Sequence, residues 1–145
     1  MKILDGRKTS NDIKEEIKDS VLELKKRYNK TPHLAAILVG NDGASETYIK
    51  AKVKACNKVG FLSSLVRLED DISEKKLLSE IQKINNDKNI DGLIVQLPLP
   101  NHINSTKVTQ EINPEKDVDG FHPTNIGRMT LDLPTYLPAT PAGII

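Results

Sequence analysis

One cysteine, Cys56, is all that the 145 residues contain. An internal disulfide is therefore excluded, and a reducing compartment is expected. Neither sign of charge dominates: 21 lysines and arginines stand against 20 aspartates and glutamates, for a formal net charge of +1. There is no basic excess to suggest nucleic acid and no charged block to suggest an interaction tail. The apolar runs fall far short of the roughly 20 residues a membrane-spanning helix needs. The opening Met1-Lys2-Ile3-Leu4-Asp5 has no apolar stretch of the secretory kind. His33, His102 and His122 are scattered, with no metal-ligand spacing to one another or to Cys56, so no metal site is expected. These absences leave a soluble, cytoplasmic domain, long enough to bury its own core.

Strands and helices alternate along the chain. Ser10 and Asn11 are suited to cap a helix running through DIKEEIKDSVLELKKRY, in which Ile13, Ile17, Val21 and Leu24 recur at helical spacing. Pro32 follows its end. LAAILVG, GFLSSLVRL and DGLIVQL are apolar runs of the kind that form buried parallel strands. Helical segments fall between them at 44–59 and 74–86, and a short helix is expected at 104–111. The expected fold is α/β, a three-layer domain with a mostly parallel sheet flanked by helices. Residues 113–141 are rich in Pro, Gly, Asp and Asn and are expected to be mostly loop. Thr140 is placed to cap a last helix, with Pro141 as its first residue. The sequence thus stops as a helix opens, and a truncated chain is expected.

The helix at 44–59 carries the first candidates. Asp42 suits its cap and Gly60 its end. Ile49, Val53, Cys56 and Val59 share one face and are expected in the core. Ser45, Tyr48 and Lys52 form a second stripe beside it. Lys52 lies only about 40° round the helix from Tyr48, whereas Lys50 and Lys54 lie about 160° and 120° away. Lys50 and Lys54 are therefore expected in solvent. Type alone also allows solvent for Lys52, a half-buried amphipathic role for Tyr48 and a backbone-bonded role for Ser45.

Other candidates lie where the strands end. Ligands of open parallel sheets sit beyond the carboxyl ends of the strands. Gln96 ends DGLIVQ, before Pro98 and Pro100 stop the strand, and is expected at the rim where helix 44–59 begins. EKDVDGFHP holds Asp117 and Asp119 beside Gly120. That D-x-D pair suits either a divalent cation or an Asx turn. GNDGAS precedes a helix but lacks both the G-x-G-x-x-G and the Walker A spacing, and no dinucleotide fingerprint occurs elsewhere.

Four segments taken in order, ASETYIKAKVKACNKVGF, DGLIVQLPLP, PEKDVDGFHPTNIGRM and PATPAGI, resemble the bifunctional methylenetetrahydrofolate dehydrogenase/methenyltetrahydrofolate cyclohydrolases. The resemblance extends over essentially the whole chain, from ILDGRKTS onward. It implies a folate-binding catalytic domain at 1–139 and, at 140–145, the start of the helix that leads to a Rossmann domain for NADP, or NAD in some members. That cofactor domain is expected to be absent here, and dehydrogenase activity with it. It implies proton transfer by Lys52, packing of Tyr48 on the folate rings, tuning of Lys52 by a hydrogen bond from Gln96, and anchoring of the pterin by Asp119. Ser45 matches a serine on the same helix face. Ala139 stands where many members carry a cysteine. Such a lysine works near neutrality when burial lowers its pKa. The resemblance further implies tetrahydrofolate derivatives as ligands, no metal, and a homodimeric parent whose contacts lie mainly in the cofactor domain, so this chain is expected to be a monomer. The competing reading is a non-catalytic module for a folate-like or anionic small molecule.

Overall fold

The computed structural model describes residues 5–144. Three parallel strands, β1 (His33–Val39), β2 (Leu62–Leu68) and β3 (Gly92–Val95), form a sheet in the order β2-β1-β3. β1 runs from His33 opposite Leu62 to Val39 opposite Leu68, and pairs on its other side from Leu34–Gly92 to Ile37–Val95. Successive side chains of a strand point to opposite faces. Ala35, Ile37 and Val39 of β1, with Leu93 and Val95 of β3, therefore pack on one face. They meet Leu77, Ile81 and Ile84 of α3 (Glu74–Asn86) and Val108 of α4 (Ser105–Glu111). Ala36, Leu38 and Ile94 pack on the other face, against Ile49 of α2 (Gly43–Val59). β1 is continuously apolar because both of its faces are covered. α1 (Gly6–Tyr28) packs outside α2 and buries only Val21. The expected three-layer α/β fold is the one observed.

Four local expectations are corrected. α1 begins at Gly6 rather than after Ser10 and Asn11, because the Asp5 carboxylate accepts from Lys8 N–H at 2.9 Å and caps it earlier. Among the described strands β2 lies at the edge and is only partly buried, with Leu62 exposed; there it pairs with β1 alone. The stretch expected to be loop contains α5 (Pro123–Thr130), where Pro123 occupies the first turn and the His122 ring nitrogen Nδ1 accepts from Thr124 N–H at 3.0 Å. α6 (Ala139–Ile144) opens one residue before the expected cap at Thr140, since the Pro138 carbonyl accepts from Ala142 N–H at 3.1 Å.

After β3 the chain turns at Pro98, whose peptide bond with Leu97 is cis. It later returns to the sheet through residues 113–120. There Leu93 N–H donates to the Lys116 carbonyl at 2.7 Å, and Leu93 and Asp117 form a single parallel bridge. Val118 then packs on the α2 face, so close to Gly92 that a Cβ there would stand 2.6 Å from a Val118 methyl. This return lays the DVDG segment alongside β3 and within reach of α2.

Candidate functional site

α2 is held at both ends as its sequence suggests. The Asp42 carboxylate accepts from Ser45 N–H at 2.7 Å, and Gly60 closes the helix with φ 84°. The Ser45 N–H bond holds the Asp42 carboxyl below its ordinary range. Ile49, Cys56 and Val59 are buried on the core face, with Val53 beside them. Burial pushes the Cys56 thiol above its usual value. Lys50 and Lys54 stand in solvent, Lys50 3.7 Å from Glu46.

The remaining stripe of α2 meets two segments of chain. At its first turn, Ser45 is buried, and its hydroxyl donates to the Leu97 carbonyl at 3.5 Å. That carbonyl also accepts from the Gln96 amide at 2.6 Å. Two turns on, a rise of about 10 Å, Lys52 Nζ lies 3.7 Å from Asp119 Oδ2. Tyr48 sits between these contacts on the same stripe and is 64% exposed. Ser45, Gln96, Lys52 and Asp119 thus line one side of α2, beside the carboxyl end of β3 and the DVDG return. No hydrogen bond joins Lys52 to Gln96 among the described residues; the amine faces Asp119 instead. Nor is Lys52 deeply buried, its side chain being 34% exposed.

Among the described residues, two acceptors in this region receive no hydrogen bond from the protein, one buried and one on a partly exposed side chain. Gln96 Oε1 is buried and receives no hydrogen bond. Asp119 turns Oδ2 to Lys52, and no hydrogen bond to its Oδ1 is formed among the described residues. Burial pushes the Asp119 carboxyl above its ordinary value; Lys52 pulls it down, and the nearby Asp117 charge pushes it up. A carboxylate whose ionised form is under-stabilised gains from added N–H donors.

Asp117 does not join Asp119 as a ligand pair. It is buried, and its Oδ2 accepts from His122 N–H at 2.8 Å and from the Asn125 amide at 2.9 Å. Gly120 takes φ 68°, the left-handed conformation the turn requires, with its α-carbon against the Tyr136 carbonyl. Of the histidines, His33 Nε2 lies 2.7 Å from Ser64 Oγ, His102 Nε2 lies 2.9 Å from the Ile72 carbonyl, and His122 caps α5. The described residues contain no cluster of three or more His, Cys, Asp or Glu arranged to hold a metal. A dinucleotide pyrophosphate finds no cradle at α2 either. The first-turn amides of Ser45 and Glu46 are taken by the carboxylate and carbonyl of Asp42, so an acid stands where a phosphate would bind.

The Leu97 carbonyl and the Asp117–Asn125 pair are absent from the residues expected from sequence. A backbone carbonyl leaves no trace in residue type. Asn125 stands in a stretch whose Pro and Gly content reads as loop, which hid the helix that carries it.

Fold and site define a parallel α/β domain that presents a lysine–carboxylate pair and an orphaned amide oxygen along one helix. The chain belongs to the tetrahydrofolate dehydrogenase/cyclohydrolase family, as its catalytic domain: that family's model matches residues 4–119. It is 61% identical over all 145 residues to the bifunctional protein FolD of Cytophaga hutchinsonii, of which it covers 50%. Its backbone matches the bifunctional FolD methylenetetrahydrofolate dehydrogenase/cyclohydrolase of Campylobacter jejuni with a TM-score of 0.96 at 43% identity. That match covers 99% of this chain and 51% of the other. It matches the Trypanosoma brucei FolD, solved with NADP cofactor and inhibitor, with a TM-score of 0.94 at 31% identity, over 99% of this chain and 49% of that one. The chain therefore spans about half the length of the curated relatives it matches.

Proposed function

We propose that residues 1–139 form the folate-binding catalytic domain of an enzyme of one-carbon metabolism, and that residues 140–145 begin the helix leading to its cofactor domain. The whole enzyme oxidises 5,10-methylenetetrahydrofolate to the 5,10-methenyl form with NADP and hydrolyses that to 10-formyltetrahydrofolate. It works in the cytoplasm as a homodimer, while this chain alone is a monomer. The observation that carries this reading is the approach of Lys52 to Asp119 on the stripe shared with Ser45 and Tyr48. The named activities of the similar proteins support it.

Each residue has a role on this reading. Asp119 Oδ1 accepts from the pterin's amide and amino N–H groups, while Oδ2 stays with Lys52; a carboxylate has lone pairs for both. Tyr48, exposed and next along the stripe, stacks on the folate rings. Gln96 Oε1, buried without a partner among the described residues, receives a donor from the substrate. Lys52 serves the hydrolysis: water adds to the methenyl carbon, the bond from that carbon to N5 breaks, one proton of the water goes to N5 and the other is released to solvent. Lys52 holds and moves protons between the attacking water and N5. Hydride transfer is the chemistry of the nicotinamide. These residues do not fit a dinucleotide, and no hydride step is assigned to them.

The test follows methenyltetrahydrofolate absorbance and binding together. The 145-residue chain is expected to bind folinate and to hydrolyse the methenyl substrate weakly at most, with any hydrolysis abolished in Lys52→Ala. Robust NADP-dependent turnover by this chain, or hydrolysis indifferent to Lys52→Ala and Asp119→Asn, would contradict the proposal. Binding that survives Lys52→Ala, with no turnover even when a cofactor domain is supplied, would favour a binding module.

A further inference from the structure

We infer that Asn125 is a positioning residue for Asp119, acting from inside the protein through Asp117; this rests on the folate reading of Asp119. Asn125 lies on α5 and is 4% exposed. Its amide ties α5 to the return of 113–120 and to the strap at Thr135. Nδ2 donates to the Pro114 carbonyl and to Asp117 Oδ2, both at 2.9 Å, and Oδ1 accepts from the Thr135 hydroxyl at 2.9 Å. Both amide hydrogens are used, so no rotamer or flipped amide reproduces the set.

Asp117 is the point these bonds stabilise. It is 1% exposed, and among the described residues His122 N–H and the Asn125 amide donate to its carboxylate. A buried carboxylate that loses a donor must find water or another partner, and the loop around it moves. Asp119 is two residues further along that loop. Its direction is set by the anchoring of Asp117, by Val118 packed on the α2 face, and by Gly120, whose N–H donates to the Asp117 carbonyl at 3.1 Å. Gly120 in turn sits against the backbone of Tyr136, next to Thr135 in the same strap. Asn125 thus joins the start of the loop, its turn and the strap behind it, and so holds the Asp119 carboxylate opposite Lys52. A small displacement at a positioned acceptor is felt in binding.

The test is a double-mutant cycle on the 145-residue chain, with folinate affinity read by NMR titration into the millimolar range. Asn125→Asp keeps the shape and, in its ionised form, donates neither bond. It is expected to weaken folinate roughly ten-fold when Asp119 is present and by less than about two-fold in the Asp119→Asn background, as for residues acting through one another. A structural role alone would give equal losses in both backgrounds, and that result would overturn the inference. Thr135→Val, which removes only the bond to Oδ1, is expected to show the same non-additivity and decides the matter if Asn125→Asp does not fold; equal losses for it would again overturn the inference. Full affinity in Asn125→Asp would overturn the inference while leaving the folate reading intact. Failure of the unsubstituted chain to bind folinate would overturn both.

Discussion

Replacing Lys52 with methionine separates a functional lysine from a structural one. The side chain keeps its length and most of its apolar stem but loses the charge. At 3.7 Å from Asp119, the gross attraction is about 4 kcal/mol at an effective dielectric near 20. Very little of that reaches the folding free energy. The two side chains are 34% and 27% exposed, and solvent-screened pairs of this kind contribute about 0–1 kcal/mol. Burial, not Lys52, is the larger influence on Asp119, whose carboxyl lies above its ordinary value even with the lysine beside it. Lys52→Met is therefore expected to change stability by no more than about 1 kcal/mol, or about 2–4 °C in Tm for a chain of this size. Removing the lysine also removes the main downward pull on Asp119. The pH at which folinate binding fails on acidification should accordingly move upward. Thermal melts and folinate titrations from pH 5 to 8 measure both effects. A loss of about 3–5 kcal/mol, as when one partner of a buried pair is removed, would refute the reasoning and make Lys52 a structural residue.

Asp119→Asn should weaken folinate at least ten-fold, since charge-assisted hydrogen bonds contribute about 1.5–3 kcal/mol. The same change should stabilise the free chain at neutral pH. The raised carboxyl is ionised at a cost in the fold, a cost fully present above its raised pKa and relieved as the pH falls through it. The advantage of asparagine over the wild type in denaturant melts should therefore shrink toward pH 4. Gly120→Ala forces a Cβ into φ 68° at 2.8 Å from the Tyr136 carbonyl and is expected to cost about 1–3 kcal/mol in urea unfolding, with weaker folinate binding. The buried Cys56 thiol, pushed up by its surroundings, should react with an aromatic disulfide reagent only as fast as the chain opens; rapid labelling of the folded chain would contradict its place in the core.

The layers of the fold were legible because their causes are local. Apolar runs at 34–40 and 92–95 are what strands covered on both faces require. The helical segment expected at about 74–86 is α3, Glu74–Asn86. Helical geometry separated Lys52 from Lys50 and Lys54, which the structure leaves in solvent. What could not be read depends on competition or on distant partners. The start of α1 was settled by Asp5 outdoing Ser10 and Asn11 as a cap. β2 looked like a central strand, because a run of residues does not announce which edge of a sheet it will occupy. α5 was hidden by its Pro and Gly content, Pro123 in fact opening the helix. The candidate residues could be picked by type, but their contacts could not. Gln96 was expected to hydrogen-bond near Lys52; the amine faces Asp119 because the return of 113–120 along β3 brings that carboxylate to α2. Nothing in the sequence near Lys52 encodes that return.

The central claim is that a folate occupies the α2 stripe between the Leu97 carbonyl and the DVDG segment. A cavity of about 860 Å³ lies elsewhere, between α1 and α2 beside Ile13, Ile17 and Cys56. Chemical-shift mapping of the isotope-labelled 145-residue chain with folinate distinguishes the two. The account predicts shifts at Tyr48, Lys52, Gln96 and Asp119, abolished in Asp119→Asn. Shifts confined to Ile13, Ile17 and Cys56, unaffected by that substitution, would contradict it.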